Sequence, residues 1–260
     1  MVACGWPTAG YDGATMTENL HIDEQWRDAL AAAGLADFDA LMDWDDSKCL
    51  SWHDRGQVYR IELPDGRAAF LKRDAFTSAK WILTDLCHLR RPTEPCLHEM
   101  AMLRRVAAIG VPAPAVVAWG QRRRCGLPHR SVLVMTPLAG TPLHKLLRAG
   151  ADEPTRRAAM QAAGRAAAMI YRAGLSWLDL VAKHFFVTLD SDDEIAGVLD
   201  LTRMRPTRSQ PASYMPKQVA KFAASLRDFG GSGADLAVFL DALGYADVLD
   251  RSALLASMEA

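Results

Sequence analysis

From Cys49 to Arg73 the chain reads CLSWHDRGQVYRIELPDGRAAFLKR, with apolar and polar residues alternating on both sides of PDG. A period of two predicts strands with one buried face, and Pro64-Asp65-Gly66 supplies tight-turn residues, so the stretch reads as a β-hairpin. The period then becomes helical. A helix is predicted from Thr93-Glu94-Pro95, with Thr93 as cap and Pro95 in the first turn, carrying Leu97, Ala101, Leu103 and Val106 at helical spacing and stopping at Gly110 before Pro112. AVVAW and SVLVMTPLAG read as two further strands around the turn-rich GQRRRCGLPHR.

From Thr141 onward helical patterns dominate. DEPTRRAAMQAAGRAAAMIYRAG has acidic residues and Pro154 at its start, many alanines inside and Gly174 at its end, the marks of a long capped helix. FFVTL and IAGVLD follow as short strands joined by the acidic turn DSDDE, and helices over roughly 217–229, 235–243 and 246–258 close the chain. The expected class is α+β and bilobal. A leader and helical extension occupies 1–43, a strand-rich lobe with one glutamate-bearing helix 44–135, and a connector plus a larger helical lobe 136–260.

With 260 residues, half of them hydrophobic, the chain can bury one large core or two packed lobes. Its 30 basic and 31 acidic residues nearly cancel, which argues against a global field for nucleic acid or an anionic membrane, so any anion is handled locally. Cys4, Cys49, Cys87, Cys96 and Cys125 are odd in number and lack CxxC spacing, as expected of thiols in a reducing compartment. The glycine-rich start before about Thr17 has neither a basic n-region nor an apolar h-region, and nothing later is long and apolar enough to span a bilayer. A soluble, cytoplasmic protein is expected.

Four charged residues stand out by position. Lys72 ends the strand AAFLKR, Glu99 lies mid-helix in EPCLHEMAMLRR, Asp179 interrupts the apolar GLSWLDLVAKHFFV, and Asp200 ends IAGVLD. Phosphoryl transfer from ATP needs a cation on the phosphates, an acidic partner for it, a metal-binding carboxylate and a carboxylate that orients the attacking hydroxyl, and these four occur in kinase order. Each also has a plainer reading. Lys72 fits a solvated strand end, and Glu99 fits an exposed glutamate near Arg104 or Arg105. Asp179 and Asp200 fit turn residues, although Trp177, Leu178, Leu180 and Val181 imply a buried loop in which an unpaired carboxylate is costly. His184 reads equally as a core histidine, since imidazole is a weak Mg²⁺ ligand, and Lys183 as a snorkelling surface lysine.

The lobe order resembles the protein-kinase-like fold, with the H-R-D-x-x-x-x-N pattern lying over Trp177-Leu178-Asp179 to His184 and Asp200 opening DLT where D-F-G would stand. The histidine five residues after Asp179, the run LDLTRMRP and the segment RRPTEPCLHEMAMLRRVAAIGVPAPAVVAWG make residues 44–207 similar to the lipopolysaccharide kinase family, the heptose and Kdo kinases. That resemblance implies an ATP- and Mg²⁺-dependent kinase acting on a sugar hydroxyl. Lys72 would contact the ATP phosphates, Glu99 would hold Lys72, and Asp179 would orient the hydroxyl. Asp200 would bind the metal, with His184 as a second ligand or a phosphate contact. Backbone at Met135, Thr136 and Leu138 would receive adenine. Its implied partner is a lipid-linked or soluble sugar, not nucleic acid, with room for a peripheral contact on the inner face of the inner membrane.

The resemblance is incomplete. Gly56 stands where G-x-G-x-x-G is usual, leaving Arg55 or Ser51 as substitutes; Trp177-Leu178 replaces His-Arg, and DLT lacks the glycine. These departures keep two alternatives open, a nucleotide- or partner-binding pseudokinase and a small-molecule kinase of the aminoglycoside phosphotransferase type. Two basic clusters, Arg122 to Arg124 in the expected turn and Lys80, His88, Arg90 and Arg91 before the glutamate helix, read either as solvated faces or as contacts for an anionic acceptor. TSAKWILTDL reads either as a docking element for membrane or substrate or as packing on the small lobe.

Overall fold

A computed structural model describes residues 15–45, 49–52, 56–188 and 195–259. Most of the predicted leader, the acidic turn DSDDE, Arg55 and the Ser51 side chain lie outside what is described. The first lobe contains β1 (Met16–Ile22), α1 (Glu24–Ala32), α2 (Phe38–Asp43), β2 (Cys49–Trp52), β3 (Gly56–Glu62), β4 (Ala68–Asp74), α3 (Ala79–Cys87), α4 (Pro95–Ala108), β5 (Val116–Arg124) and β6 (Leu127–Met135). Its six strands pair in the order β1-β5-β6-β4-β3-β2, each pair antiparallel. β3 and β4 turn at Pro64-Asp65-Gly66, where Gly66 takes φ 84°, a left-handed conformation that costs glycine little.

Two features of this sheet differ from the sequence reading. β5 and β6 run through the expected turn, which shrinks to Cys125-Gly126, both with positive φ as a tight hairpin requires. Arg122 and Arg123 are therefore not at a solvated tip. Arg122 pairs with Glu18 on β1 and with Asp39 on α2, and Arg123 Nε donates to the buried Glu94 carboxylate at 2.8 Å. The second feature is β1 itself, which pairs along β5 from Met16 opposite Arg124 to Ile22 opposite Ala118. As an edge strand with most residues exposed, it has little alternation to read.

The sheet is covered on both sides. Leu30, Leu35, Phe38 and Leu41 from the α1 and α2 region pack on Tyr59, Ile61, Leu71, Val132 and Val134. Arg73 is buried among them, with Nε donating to Gln57 Oε1 at 2.8 Å, Nη2 to Tyr59 Oη at 2.8 Å and Nη1 to the carbonyls of Met42 and Trp44. Those bonds tie the end of α2 to β4. On the other face lies α4, whose Cys96, Met102, Leu103 and Val106 join Leu133 and Met135 in a core continuous with the second lobe. Glu94, not Thr93, is the N-cap of α4, because the Thr93 hydroxyl donates instead to the Arg91 carbonyl at 3.2 Å. Ala101 faces solvent and Met102 fills the buried position. Cys96 Sγ donates to Asp74 Oδ2 at 3.2 Å, sealing α4 against β4, and burial raises its thiol pKa well above the ordinary value. α3 does not pack as a core element: none of its residues is buried, and Leu83 and Leu86 are exposed.

The second lobe contains β7 (Thr141–Pro142), α5 (Leu143–Arg148), α6 (Glu153–Arg172), β8 (Leu175–Trp177), β9 (Phe185–Val187), β10 (Gly197–Val198), β11 (Met204–Pro206), α7 (Met215–Asp228), α8 (Gly233–Leu243) and α9 (Arg251–Ala256). Asp152 caps α6 by accepting from Thr155 N at 3.0 Å, and Gly174, at φ 69°, follows its C-cap. Gly164 on α6 lets α8 approach closely: a Cβ there would meet the Phe239 carbonyl oxygen at 2.6 Å. α9 is shorter than predicted because Asp250 caps it, accepting from Ala253 N at 3.0 Å, and because Gly244 and Tyr245 have positive φ. β10-β9-β7 and β11-β8 form two small antiparallel sheets around a loop that contains Asp179. α7 braces that loop: Gln218 Oε1 accepts from Trp177 N at 3.1 Å, and Ser225 Oγ accepts from Ala182 N at 2.7 Å. Among the described residues, no helix is long and apolar enough to cross a membrane.

Candidate active site

Alternation along β4 sends Ala69, Leu71 and Arg73 into the first-lobe core and leaves Phe70 and Lys72 facing the cleft between the lobes. Lys72 Nζ lies 2.6 Å from Glu99 Oε2, and Glu99 is buried on α4 rather than paired with Arg104 or Arg105. Lys72 Nζ also donates to Thr202 Oγ1 at 2.9 Å and lies 3.9 Å from Asp200 Oδ1. The Thr202 hydroxyl is 3.1 Å from Glu99 Oε2 and 3.2 Å from Asp200 Oδ1, so its single proton serves one carboxylate at a time. Leu201 N donates to Glu99 Oε1 at 3.3 Å. Burial works against the Lys72 ammonium, but the Glu99 and Asp200 carboxylates outweigh it and hold its pKa above the ordinary lysine value. Burial likewise works against the Asp200 carboxylate, and the Lys72 ammonium, with the Thr202 hydroxyl, brings its pKa below the usual range.

Asp200 adopts φ 58°, a left-handed conformation rarely taken by residues with a side chain and a local store of strain. The twist accompanies an Asp200 Oδ2 to His184 Nε2 distance of 3.5 Å. His184 Nδ1 lies 2.8 Å from the Asp179 carbonyl oxygen, which can only accept, so Nδ1 carries the proton. Burial lowers the His184 pKa, leaving a neutral ring at pH 7 with a bare Nε2 lone pair toward Asp200. Trp177 stacks on His184 with ring centroids 6.3 Å apart and packs edge-on to Phe185 at 5.3 Å, bracing the loop through apolar contact. Leu178 is exposed, unlike its buried neighbours Trp177 and Leu180. Asp179 Oδ1 receives Arg203 Nη1 at 3.0 Å and Lys221 Nζ at 2.5 Å.

Two cavities meet at these residues. One of about 360 Å³ has Leu50, Val58 and Phe70 on the first-lobe side, Phe186 and Leu199 on the second, Met135 to Leu138 at the connector, and Lys72, Glu99 and Asp200 at its polar end. The other, about 380 Å³, shares Val58, Lys72 and Asp200 and adds Gly56, Asp74, Phe76, Trp81, Asp179, Thr202 and Arg203. Gly56 stands opposite Asp74 across β3 and β4, and a Cβ there would meet Asp74 Oδ1 at 3.0 Å. Among the described residues no cluster of three or more His, Cys, Asp or Glu could hold a metal by itself. The Asp200 carboxylate fits a cation whose remaining ligands are phosphate oxygens and water, the usual situation for Mg²⁺, while the bare His184 nitrogen, a weak ligand for so hard an ion, is placed to accept a hydrogen bond from a water beside it.

The structure thus gathers Lys72, Glu99, Asp179, His184 and Asp200 in one cleft and places Met135, Thr136 and Leu138 along its connector wall. Lys183 is exposed, as its surface reading anticipated. Three further residues, Thr202, Arg203 and Lys221, were not singled out by sequence. The basic residue in DLTR, directly after Asp200, offered a signal for Arg203 but none for Thr202. Lys221 offered none, because in MPKQVAKFAASLRD it reads as an ordinary solvated helix lysine.

Comparison with known proteins adds a family. The lipopolysaccharide kinase (Kdo/WaaP) family model matches residues 72–242, more than half of the chain. A solved structure of WaaP in complex with acyl carrier protein is similar at a TM-score of 0.68 and 24% identity, over 93% of this chain and 96% of that one. The pseudokinase domain of BIR2, an immune regulator of the RLK/Pelle family, gives 0.46 and 17% identity over 89% and 69%. WbdD with the kinase inhibitor LY294002 gives 0.49 and 18% over 80% and 43%. At under 25% identity the first of these speaks to the fold alone, and the last two are too distant even for that. No curated protein sequence matches the chain. The fold is protein-kinase-like and bilobal, as the order of its elements implied.

Proposed function

Because the chain belongs to the lipopolysaccharide kinase (Kdo/WaaP) family, we propose that it transfers the γ-phosphate of ATP to a sugar hydroxyl of a lipopolysaccharide core, heptose or Kdo. The single observation that carries this reading is the bonded chain Lys72-Glu99-Thr202-Asp200, which joins β4, α4 and the segment after β10 beside a cavity that also contains Asp179. The 360 Å³ cavity suits adenine, with apolar side chains above and below a flat ring. At the connector, Thr136 N already donates to the Ala115 carbonyl at 2.9 Å and Pro137 has no N–H, so the purine edge meets Leu138 N and connector carbonyls.

Lys72 faces the phosphates and is kept charged and pointed by Glu99. Asp200 would hold Mg²⁺, whose chemistry is to neutralise phosphate charge, with His184 Nε2 beside it as an acceptor for a phosphate-side water. Asp179 accepts a hydrogen bond from the acceptor hydroxyl and aims it at the γ-phosphorus, a positioning role realised in the transition state. The acceptor is read as lipid-linked. α3 and its flanks present Phe76, Leu83, Leu86 and Leu89 to solvent beside Lys80, His88, Arg90 and Arg91, a composition complementary to an anionic bilayer.

Calorimetric titration with Mg·ATP, together with phosphate transfer to deacylated core oligosaccharide, tests this reading. Asp179→Asn is expected to keep nucleotide binding and lose most turnover, whereas Asp200→Ala loses both. Two variants as active as the parent would reject the assignment. A parent protein that binds Mg·ATP and transfers to no glycan would reject the sugar acceptor and favour the pseudokinase alternative.

A further inference from the structure

Asp74, Asp179 and Asp200 line the 380 Å³ cavity with Lys72 and Arg203, but at Asp179 itself the cations outnumber the carboxylates. Lys72 faces two carboxylates, Glu99 and Asp200, at 2.6 and 3.9 Å. Asp179 faces two cations, and both bonds, 3.0 Å from Arg203 and 2.5 Å from Lys221, fall on the same oxygen, Oδ1. The Arg203 and Lys221 side chains are 56% and 43% exposed. Exposed ion pairs contribute little to stability, and two like charges converging on one oxygen repel, so folding alone is a weak reason for this arrangement. The position of Lys221 is nevertheless fixed. It sits on α7 between Gln218 and Ser225, whose side chains hold the backbone on either side of Asp179, and its own Nζ also donates to the Leu178 carbonyl at 3.1 Å.

We infer that the Asp179 end of this cavity is an acceptor subsite for a sugar bearing its own negative charge, a carboxylate or a phosphate, and that Arg203 on the cavity wall and Lys221 on the other side of Asp179 recognise that charge. The inference rests on the reading of Asp179 as the residue that orients the acceptor hydroxyl. In the absence of acceptor, Asp179 stands in for the anion. An incoming carboxylate or phosphate takes over the two cations in charge-assisted hydrogen bonds and frees Oδ1 for the hydroxyl. Because the cations converge on one atom, the recognised anion and the reacting hydroxyl belong to the same sugar or to directly joined sugars. Phe76 and Trp81 supply an apolar wall for a sugar ring. Trp81 is fixed by its indole N–H, which donates to the Thr93 carbonyl at 2.8 Å, and by the Arg205 guanidinium 4.8 Å from its ring centroid. A neutral acceptor would leave both cations on Asp179 and compete poorly.

The probe is deacylated lipopolysaccharide core oligosaccharide in four forms: untreated, carboxyl-reduced, phosphatase-treated, and treated both ways. Binding is measured by calorimetry and transfer by kcat/KM, for the parent, Arg203→Gln, Lys221→Gln and Lys221→Arg. The parent is expected to bind the untreated form at least about tenfold more tightly than the doubly treated one, the size of a charge-assisted contact. The singly treated forms identify which anion is read. Both glutamine variants lose this preference while still binding Mg·ATP, and Lys221→Arg keeps it. A variant that fails to bind Mg·ATP is set aside as misfolded, and the parent's own preference then decides. Equal binding of charged and neutralised forms by the parent overturns the inference, as does binding of neither, or an unchanged preference in both glutamine variants. A parent that prefers the charged form in an Arg203- and Lys221-dependent way yet transfers no phosphate upholds the subsite and rejects the kinase reading.

Discussion

Thr202 joins three elements through one hydroxyl, and no pattern rule pointed to it. Lys72, Glu99, Asp179 and Asp200 could be gathered from sequence because a charged residue closing an apolar strand or interrupting an apolar loop is conspicuous, and because phosphotransfer chemistry limits what may stand in that order. A threonine beside an aspartate has no such mark. Thr202→Val keeps the shape and removes the hydroxyl, leaving Lys72 without one acceptor; a loss of about 1–3 kcal/mol in stability is expected, read as a lower urea midpoint, with weaker Mg·ATP binding, and Thr202→Ser restores most of both. His98 makes a second residue-scale prediction. Burial and the neighbouring Arg205 push its pKa down to about 4. The unfolded chain therefore binds a proton below about pH 6.5 that the fold refuses until about pH 4, so stability falls as pH drops through that window, by roughly 3 kcal/mol from this residue. The buried, neutral His184 acts in the same direction. His98→Gln is expected to flatten the acid limb of a urea-midpoint against pH curve; an identical slope would remove His98 as its cause.

Among the elements, the legible ones are those whose pattern comes from one buried face. The β3–β4 hairpin, α4 and α6 belong to this group. β1 was not legible because an edge strand has no strong alternation, and the β5–β6 hairpin was shortened in the reading because its arginines look like turn residues until their partners, Glu18, Asp39 and Glu94, are brought alongside by other parts of the chain. Glu94 is fully buried at the start of α4 and is met by Arg123. Removing one member of a buried pair strands the other charge, so Glu94→Ala is expected to cost about 3–5 kcal/mol in a denaturant titration. A change under about 1 kcal/mol would mean that Arg123 finds water instead.

At the scale of the whole molecule, the two lobes share one apolar core through α4, while α3 stands outside any core. TSAKWILTDL was ambiguous for that reason: ten residues with three leucine or isoleucine side chains read equally as packing or docking, and only the surrounding fold shows that the leucines face water. With Leu89 97% exposed and four basic or imidazole side chains alongside, co-sedimentation with vesicles containing anionic lipid is expected, weakening with salt and with Leu83→Ser plus Leu86→Ser. Equal recovery with neutral and anionic vesicles would remove the electrostatic part of that contact.

The thiol of Cys96 lies one helical turn before Glu99, on the same face of α4, and is closed against Asp74. A buried, fully protonated thiol alkylates only from an opened state, so its labelling rate is a clock whose ticks are the moments when α4 lifts from β4. Cys49, Cys87 and Cys125 are exposed and label first, giving an internal zero of time. Since the same lifting separates Glu99 from Lys72, the clock on the Cys96 peptide, read by mass spectrometry, measures how often the resting molecule disassembles its own phosphate-facing lysine. Mg·ATP that draws the lobes together is expected to slow it, and Glu99→Gln to speed it.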